Sequence, residues 1–275
     1  MNIQWFPTLS CNLKCSYCNA RSFPVATHGR ERGPAAWIAQ FEQCPVSMTS
    51  FGVSGGEPSE YAQLEDVLAA LMITNVWLNT NLMRPPERWL RPAALYKVHA
   101  VTATCQFNPA LPQATGFFEN LRWLKDHLRP GAALRAWYVR EPQRTTDQEV
   151  AEFKRRAVAA GATETQINDV TDKWGFRDWL PGFHGRALSC TGGNTLLSIL
   201  PDGEVYRCIT HAMSGSRSMG NLFELGWDVI HKTPQPCEDL RCNFLPECEP
   251  VKTVWEEGNP PRPVPGPGRR WQNVR

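Results

Sequence analysis

The sequence predicts an α/β fold: a partial (β/α)6 parallel barrel followed by a small β-hairpin/helix unit organised around cysteines. Three observations carry that expectation. Strand-like and helical segments alternate six times in the first ~185 residues, the composition then shifts toward Gly, Ser and Thr with a hairpin signal, and most of the ten cysteines fall in two clusters. Alternating strands and helices argue for a parallel sheet, because a parallel crossover needs a covering helix. Six units are fewer than the eight of a closed barrel, so the sheet is expected to stay open. Open sheets of this kind take ligands beyond the carboxyl ends of their strands.

Each element has its own reason. Ile3 to Leu9 is a short apolar run that ends at the first cysteine. Pro34 to Cys44 reads as a helix, with proline at its start and Trp37, Ile38 and Phe41 on one face. Met48 to Val53 is a second strand that runs into Ser54-Gly55-Gly56-Glu57-Pro58. A helix from about Glu60 to Leu71, a strand through Val76-Trp77-Leu78, a helix around Pro86 to Leu95 and a strand over Val98 to Cys105 follow. Gly116 to Leu128 carries Phe117, Leu121, Leu124 and Leu128 at helical spacing. Leu134 to Val139 is strand-like, Thr146 or Asp147 caps a helix that ends at Gly161, and a last strand lies near Thr165 to Val170. Farther on, Pro201-Asp202-Gly203 predicts a turn between Leu196–Leu200 and Val205–Cys208. These features divide the chain into a barrel at 1–185, a cysteine-bearing unit at 186–257, and a Pro/Gly-rich tail at 258–275 that cannot pack.

Composition narrows the function classes. With 42% hydrophobic and 20% charged residues, the chain is not mainly disordered. Twenty-nine basic against 27 acidic side chains leave +2, which gives no ground for a nucleic-acid surface. No apolar run reaches the ~18 residues of a membrane helix, and Met1 to Pro7 has neither part of a signal peptide. The expectation is a cytoplasmic protein without a membrane partner. In that setting cysteines bind metal or do chemistry rather than form disulfides.

The first cluster, Cys11-Asn-Leu-Lys-Cys15-Ser-Tyr-Cys18, is C-x3-C-x2-C. Three thiolates on one tight loop can hold three irons of a [4Fe–4S] cube and leave the fourth open. A closed all-cysteine zinc site would want a fourth thiol nearby, and no further cysteine precedes Cys44. By chance this spacing arises in roughly one chain in 80 of this composition.

That spacing, followed by Gly55-Gly56-Glu57-Pro58, resembles the radical S-adenosylmethionine (radical SAM) superfamily. The resemblance implies that Cys11, Cys15 and Cys18 ligate a [4Fe–4S] cluster whose open iron takes the amino and carboxylate groups of SAM. It implies that Tyr17 helps enclose the adenine, that Gly55 and Gly56 admit the methionine part closely, and that Glu57 accepts a hydrogen bond from its ammonium group. Without the resemblance, a plain strand–helix turn would explain the two glycines. Thr80-Asn81-Leu82 is similar to the Thr-Asn-Gly that often closes the third strand of this family, with Leu82 a departure. Thr104 and Gln106 are candidate ribose contacts, the alternative being a polar rim.

The second cluster is Cys190-x17-Cys208, with four residues between Gly203 and Cys208 (Gly-x4-Cys), then Cys237-x4-Cys242-x5-Cys248. With Met219-Gly220-Asn221-Leu222 it resembles the SPASM/twitch extension of radical SAM enzymes, in its shorter form. The resemblance implies one auxiliary [4Fe–4S] cluster held by four of these five thiols. A zinc ribbon is the competing reading. His211 is a further ligand or proton-donor candidate, against a packed histidine. Cys44 reads as a buried thiol. Cys105, at a strand's carboxyl end, is a candidate hydrogen donor to a substrate radical, against core packing. Trp37, Trp77, Trp89 and Trp123 fall at core spacing, and Trp174 and Trp179 flank a loop at the substrate mouth.

The implied activity is reductive cleavage of SAM to a 5′-deoxyadenosyl radical that abstracts hydrogen from a substrate C–H bond. The electron comes from a donor such as flavodoxin or ferredoxin. The first expectation for the substrate is a ribosomally made peptide, undergoing crosslinking, thioether formation or epimerisation. The alternative is oxidation or rearrangement of a small molecule such as a sugar alcohol or nucleotide. A non-catalytic iron–sulfur or zinc module is the third reading.

Overall fold

The computed structural model describes residues 1–15, 18, 20, 23, 29–141, 144–169, 183–184, 187–190, 192–215, 217–237, 253–255 and 262–263. Six parallel strands form the expected open sheet. They are β1 (Asn2–Trp5), β2 (Ser50–Val53), β3 (Val76–Thr80), β4 (Val98–Cys105), β5 (Ala133–Arg140) and β6 (Glu164–Asp169), paired in chain order. Helices α1 (Pro34–Glu42), α2 (Leu64–Ala70), α3 (Pro92–Leu95), α4 (Gln113–His127) and α5 (Asp147–Ala159) make the crossovers. The sheet does not close on itself.

Local chemistry explains these boundaries. Pro34 opens α1, where a missing N–H costs nothing. Thr146 and Glu149 form a reciprocal capping box at the start of α5: Glu149 N–H donates to Thr146 Oγ1 at 3.2 Å and Thr146 N–H to Glu149 Oε2 at 2.6 Å. Gly161 follows that helix at φ +94°, where a side chain would be strained.

Side chains alternate across the sheet. Ile3, Trp5, Phe51, Val53, Leu78, Val101, Ala103 and Tyr138 face the helices and form the core with Trp37, Phe41, Phe117 and Phe153. Trp5 meets Trp37 edge-on, with ring centroids 5.4 Å apart. Trp77 departs from its expected core position, because it sits between the core-facing Val76 and Leu78 and projects to the concave face. Its ring lies where a Cβ on the paired Gly52 would be, 1.9 Å from the nearest ring carbon. The glycine is therefore required by the indole.

Three of the strands that follow β6 extend this same sheet, and the others pair apart from it. Strands β7 (Phe183–His184) and β14 (Arg262–Pro263) form a small antiparallel pair of their own, so this piece of the tail pairs where none of it was expected to pack, and β8 (Ala187–Cys190) lies between β12 (Gln235–Cys237) and β13 (Thr253–Trp255). The expected hairpin is β9 (Leu196–Ile199) and β10 (Glu204–Tyr206), and β11 (Gly220–Asn221) pairs with β10. Strand β9 runs parallel to β1, Ile3 opposite Leu197 and Trp5 opposite Ile199, so the sheet has nine strands. Helices α6 (Ile209–Ser214) and α7 (Leu222–Leu225) follow β10 and β11. Among the described residues, no helix is long and apolar enough to cross a membrane.

Candidate functional site

The first cysteine loop leaves β1 at the carboxyl edge of the sheet, where Thr8, Leu9 and Ser10 run against the turn after β2. Gly56 N–H donates to Thr8 O at 3.0 Å and Glu57 N–H to Ser10 O at 2.8 Å. This approach is what requires the two glycines. A Cβ on Gly55, at φ +138°, would stand 2.3 Å from Thr8 O, and one on Gly56 would stand 2.1 Å from Ser10 O. No side chain fits in either place. Thr8 also donates to Glu31, and Arg32 N–H donates to Pro201 O at 3.0 Å, which straps the chain beyond the loop to the β9–β10 turn.

Glu57 is buried and organises the end of β3. Its Oε1 accepts from Thr80 Oγ1 at 2.7 Å and from Ser59 N–H at 3.1 Å, and its Oε2 accepts from Asn81 N–H at 2.6 Å. Burial pushes its carboxyl above the usual range, and these hydrogen bonds oppose the shift. Pro58 opens the single 3-10 turn after it and is buried. Asn81 Nδ2 donates to Asn12 Oδ1 at 2.7 Å and to Cys11 Sγ at 3.7 Å. Leu82, which stands where the resembled Thr-Asn-Gly triplet has glycine, is fully buried at φ +55°, the left-handed region a glycine would occupy without strain.

The three thiols of the loop lie close enough to sense one another. Burial raises the Cys11 thiol, with further contributions from the Glu57 carboxylate and from Cys18 and Cys15, while the Leu13 N–H opposes them. Cys15 Sγ is 3.8 Å from Gln106 Oε1, so Gln106 reaches the loop. Thr104 lies on the concave face between the core-facing Ala103 and Cys105 and opposite Trp137, whose buried Nε1 has no partner among the described residues. Tyr17 lies outside the described residues.

Cys105 points the other way. It is buried in the helix-facing core, its Sγ 3.4 Å from Phe107 O, and burial pushes its thiol up to about 11. The structure thus separates it from the converging residues, on the packing side of the two readings. Cys44 is half-buried beside Val46 O.

In the second cluster, Cys190 and Cys208 pack on the same Leu196. Gly192 N–H donates to Cys190 Sγ at 3.3 Å. Antiparallel pairing of β8 with β12 sets Gln235 opposite Cys190 and Cys237 opposite Ala187. Arg207, which the sequence does not single out, is buried and donates to Gly192 O at 3.4 Å, Gln235 O at 3.3 Å and Pro236 O at 2.7 Å. It ties the backbone beside three of the five cysteines together. His211 is buried in α6. Cys242, Cys248, Trp174 and Trp179 lie outside the described residues, as does the tail apart from Arg262–Pro263.

Among the described residues, no three Cys, His, Asp or Glu side chains form a preassembled metal site. The first loop fits an iron–sulfur group by donor chemistry: three soft, half-buried thiols within eight residues, in mutual electrostatic contact.

No protein-family model matches the sequence. No curated protein matches it significantly. Solved structures of SuiB from Streptococcus suis share the fold. SuiB bound to S-adenosylmethionine superposes with a TM-score of 0.57 at 13% identity, over 84% of this chain and 65% of SuiB. SuiB bound to its precursor peptide SuiA gives 0.52 at 11% identity, over 82% and 64%. The chain thus spans just under two thirds of SuiB, and the likeness is one of fold.

Proposed function

We propose that this protein is a radical SAM enzyme that modifies a ribosomally made peptide. The observation that carries the reading is the backbone pairing of Thr8–Ser10 with Gly55–Glu57, which joins the C-x3-C-x2-C loop to the Gly-Gly-Glu-Pro turn. The SAM-bound SuiB structure supports the cofactor, and the SuiA complex favours a peptide over a sugar alcohol or nucleotide.

In this reading Cys11, Cys15 and Cys18 hold a [4Fe–4S] cluster. Once bound, and given one electron by the reductant, cluster and SAM would release methionine and supply 5′-deoxyadenosyl radical chemistry toward a substrate C–H bond. The chain's own residues bind and orient. Glu57 would accept a hydrogen bond from the ammonium of SAM, and its bonds to Thr80 and Asn81 set the orientation of its carboxylate. Thr104 and Gln106 would contact the ribose, and Tyr17 would help enclose the adenine. The protein's further task is to hold the reacting C–H near the radical carbon and exclude water. Residues 186–257 form the auxiliary unit, with four of Cys190, Cys208, Cys237, Cys242 and Cys248 as ligands of a second [4Fe–4S] cluster. The enzyme works in the cytoplasm with a small reductant such as flavodoxin or ferredoxin.

The test is anaerobic reconstitution followed by SAM and dithionite, with 5′-deoxyadenosine as the readout. The wild type is expected to carry about eight irons and to form 5′-deoxyadenosine, while Cys15→Ala forms none. Four irons with one zinc would replace the auxiliary cluster by a zinc ribbon. Wild-type-level cleavage in Cys15→Ala would refute the assignment of the loop.

A further inference from the structure

We infer that Asn81 is a redox-tuning residue of the first cysteine loop, acting through an N–H···S hydrogen bond to Cys11; this rests on the reading of that loop as a [4Fe–4S] site. Asn81 is buried and held from three directions. Its backbone N–H donates to Glu57 Oε2 at 2.6 Å, its Oδ1 accepts from Met83 N–H at 3.0 Å, and its Nδ2 donates to Asn12 Oδ1 at 2.7 Å. With the carboxamide so fixed, its second donor direction falls on Cys11 Sγ at 3.7 Å, within range for a sulfur acceptor. The assignment differs from a SAM contact, because both donor directions of the amide are directed at the cysteine loop.

Hydrogen bonds to ligating sulfurs set the potential of an iron–sulfur group, because a donor withdraws electron density from the thiolate and favours the reduced, more negative cluster. Asn81 also links the carboxylate proposed to face SAM to the first cysteine through one side chain. Asn12, placed between Cys11 and Leu13, serves as the second anchor that keeps the amide turned toward the sulfur.

The experiment compares wild type with Asn81→Ala, Asn81→Ser and Asn12→Ala after anaerobic reconstitution. It measures iron per chain and the midpoint potential of the cluster whose electron paramagnetic resonance signal responds to SAM. Serine retains an oxygen to accept from Met83 N–H but is too short to reach Cys11, so it guards against simple misfolding of the alanine variant. In both Asn81 variants the reduced-to-oxidised ratio at a fixed potential should fall about tenfold, equivalent to about 59 mV for one electron. In Asn12→Ala the fall should be smaller. An unchanged or more positive potential in Asn81 variants that hold full iron would overturn the inference. So would failure of both to load iron, since Asn81 would then only hold the loop in place. A wild-type protein that neither binds the first cluster nor cleaves SAM would remove the underlying reading first, which keeps the two failures distinguishable.

Discussion

Gly56 stands so close to Ser10 that a single methyl group on it would approach the Ser10 carbonyl oxygen to 2.1 Å. The contact is backbone against backbone, so no side chain can rotate away to relieve it. Gly56→Ala should lower the stability of the metal-free protein by about 1–3 kcal/mol, the usual range for overpacking. It should also reduce iron at the first site. Urea unfolding and iron analysis check this, and a wild-type midpoint with full iron would show that the two segments part easily.

Glu57→Gln keeps shape and removes charge, yet should still destabilise. All three neighbours of the carboxylate, Thr80 Oγ1, Ser59 N–H and Asn81 N–H, are donors in this arrangement. Whichever way the new amide turns, its NH2 meets at least one of them. The expected loss is about 1–3 kcal/mol by denaturant unfolding, accompanied by weaker SAM binding in calorimetry.

At Leu82 two effects oppose each other. Glycine would relieve a left-handed backbone strain of about 1–2 kcal/mol, but removing a fully buried leucine costs about 2–5 kcal/mol. The cavity wins. Leu82→Gly should be net destabilising in equilibrium unfolding, although it introduces the glycine of the Thr-Asn-Gly triplet that this segment resembles.

Cys105 gives a pH prediction. Its thiol titrates near 9 when exposed and near 11 in the fold, because burial disfavours the thiolate. The unfolded chain therefore releases this proton first, so stability is constant below about pH 9, falls between 9 and 11, and levels off above. About 2–3 kcal/mol is at stake. Cys105→Ala should remove this component from the alkaline unfolding profile, and iodoacetamide should modify the folded thiol slowly at pH 8.

Arg207→Met should strip the second site selectively. The guanidinium satisfies carbonyls of Gly192, Gln235 and Pro236, and methionine satisfies none. Iron should fall from about eight to about four per chain while 5′-deoxyadenosine formation continues. Retention of all the iron would show that the cysteines assemble without this clamp.

The barrel strands are legible because each is a local pattern: apolar runs, a proline at Pro34, a capping residue at Thr146, a glycine at Gly161. Strand β4 spans Val98–Cys105, the bounds the sequence predicts. Facing was less legible. Trp77 looks like a core residue in a three-residue window, and only the glycine opposite it, Gly52, signals that the ring crosses to the concave side. Pattern marks the two motif glycines but not the reason they are glycine, since Thr8–Ser10 lies 45 to 48 positions away from Gly55–Gly56 and leaves no mark in the local sequence. Arg207 and Asn12 belong to the same class. Each is an ordinary polar residue whose importance comes from partners distant in the chain or from the return of β3 toward the loop.

The pairing of β9 with β1 bears on how the protein could be divided. A fragment cut near residue 185 would leave β1 with a bare flank of unpaired N–H and C=O groups, including the Phe6 N–H that now donates to Ile199 O. Such a flank is a template for association with other chains. The strand that launches the cysteine loop would thus become an aggregation edge, so the segment after residue 185 acts as the barrel's missing wall.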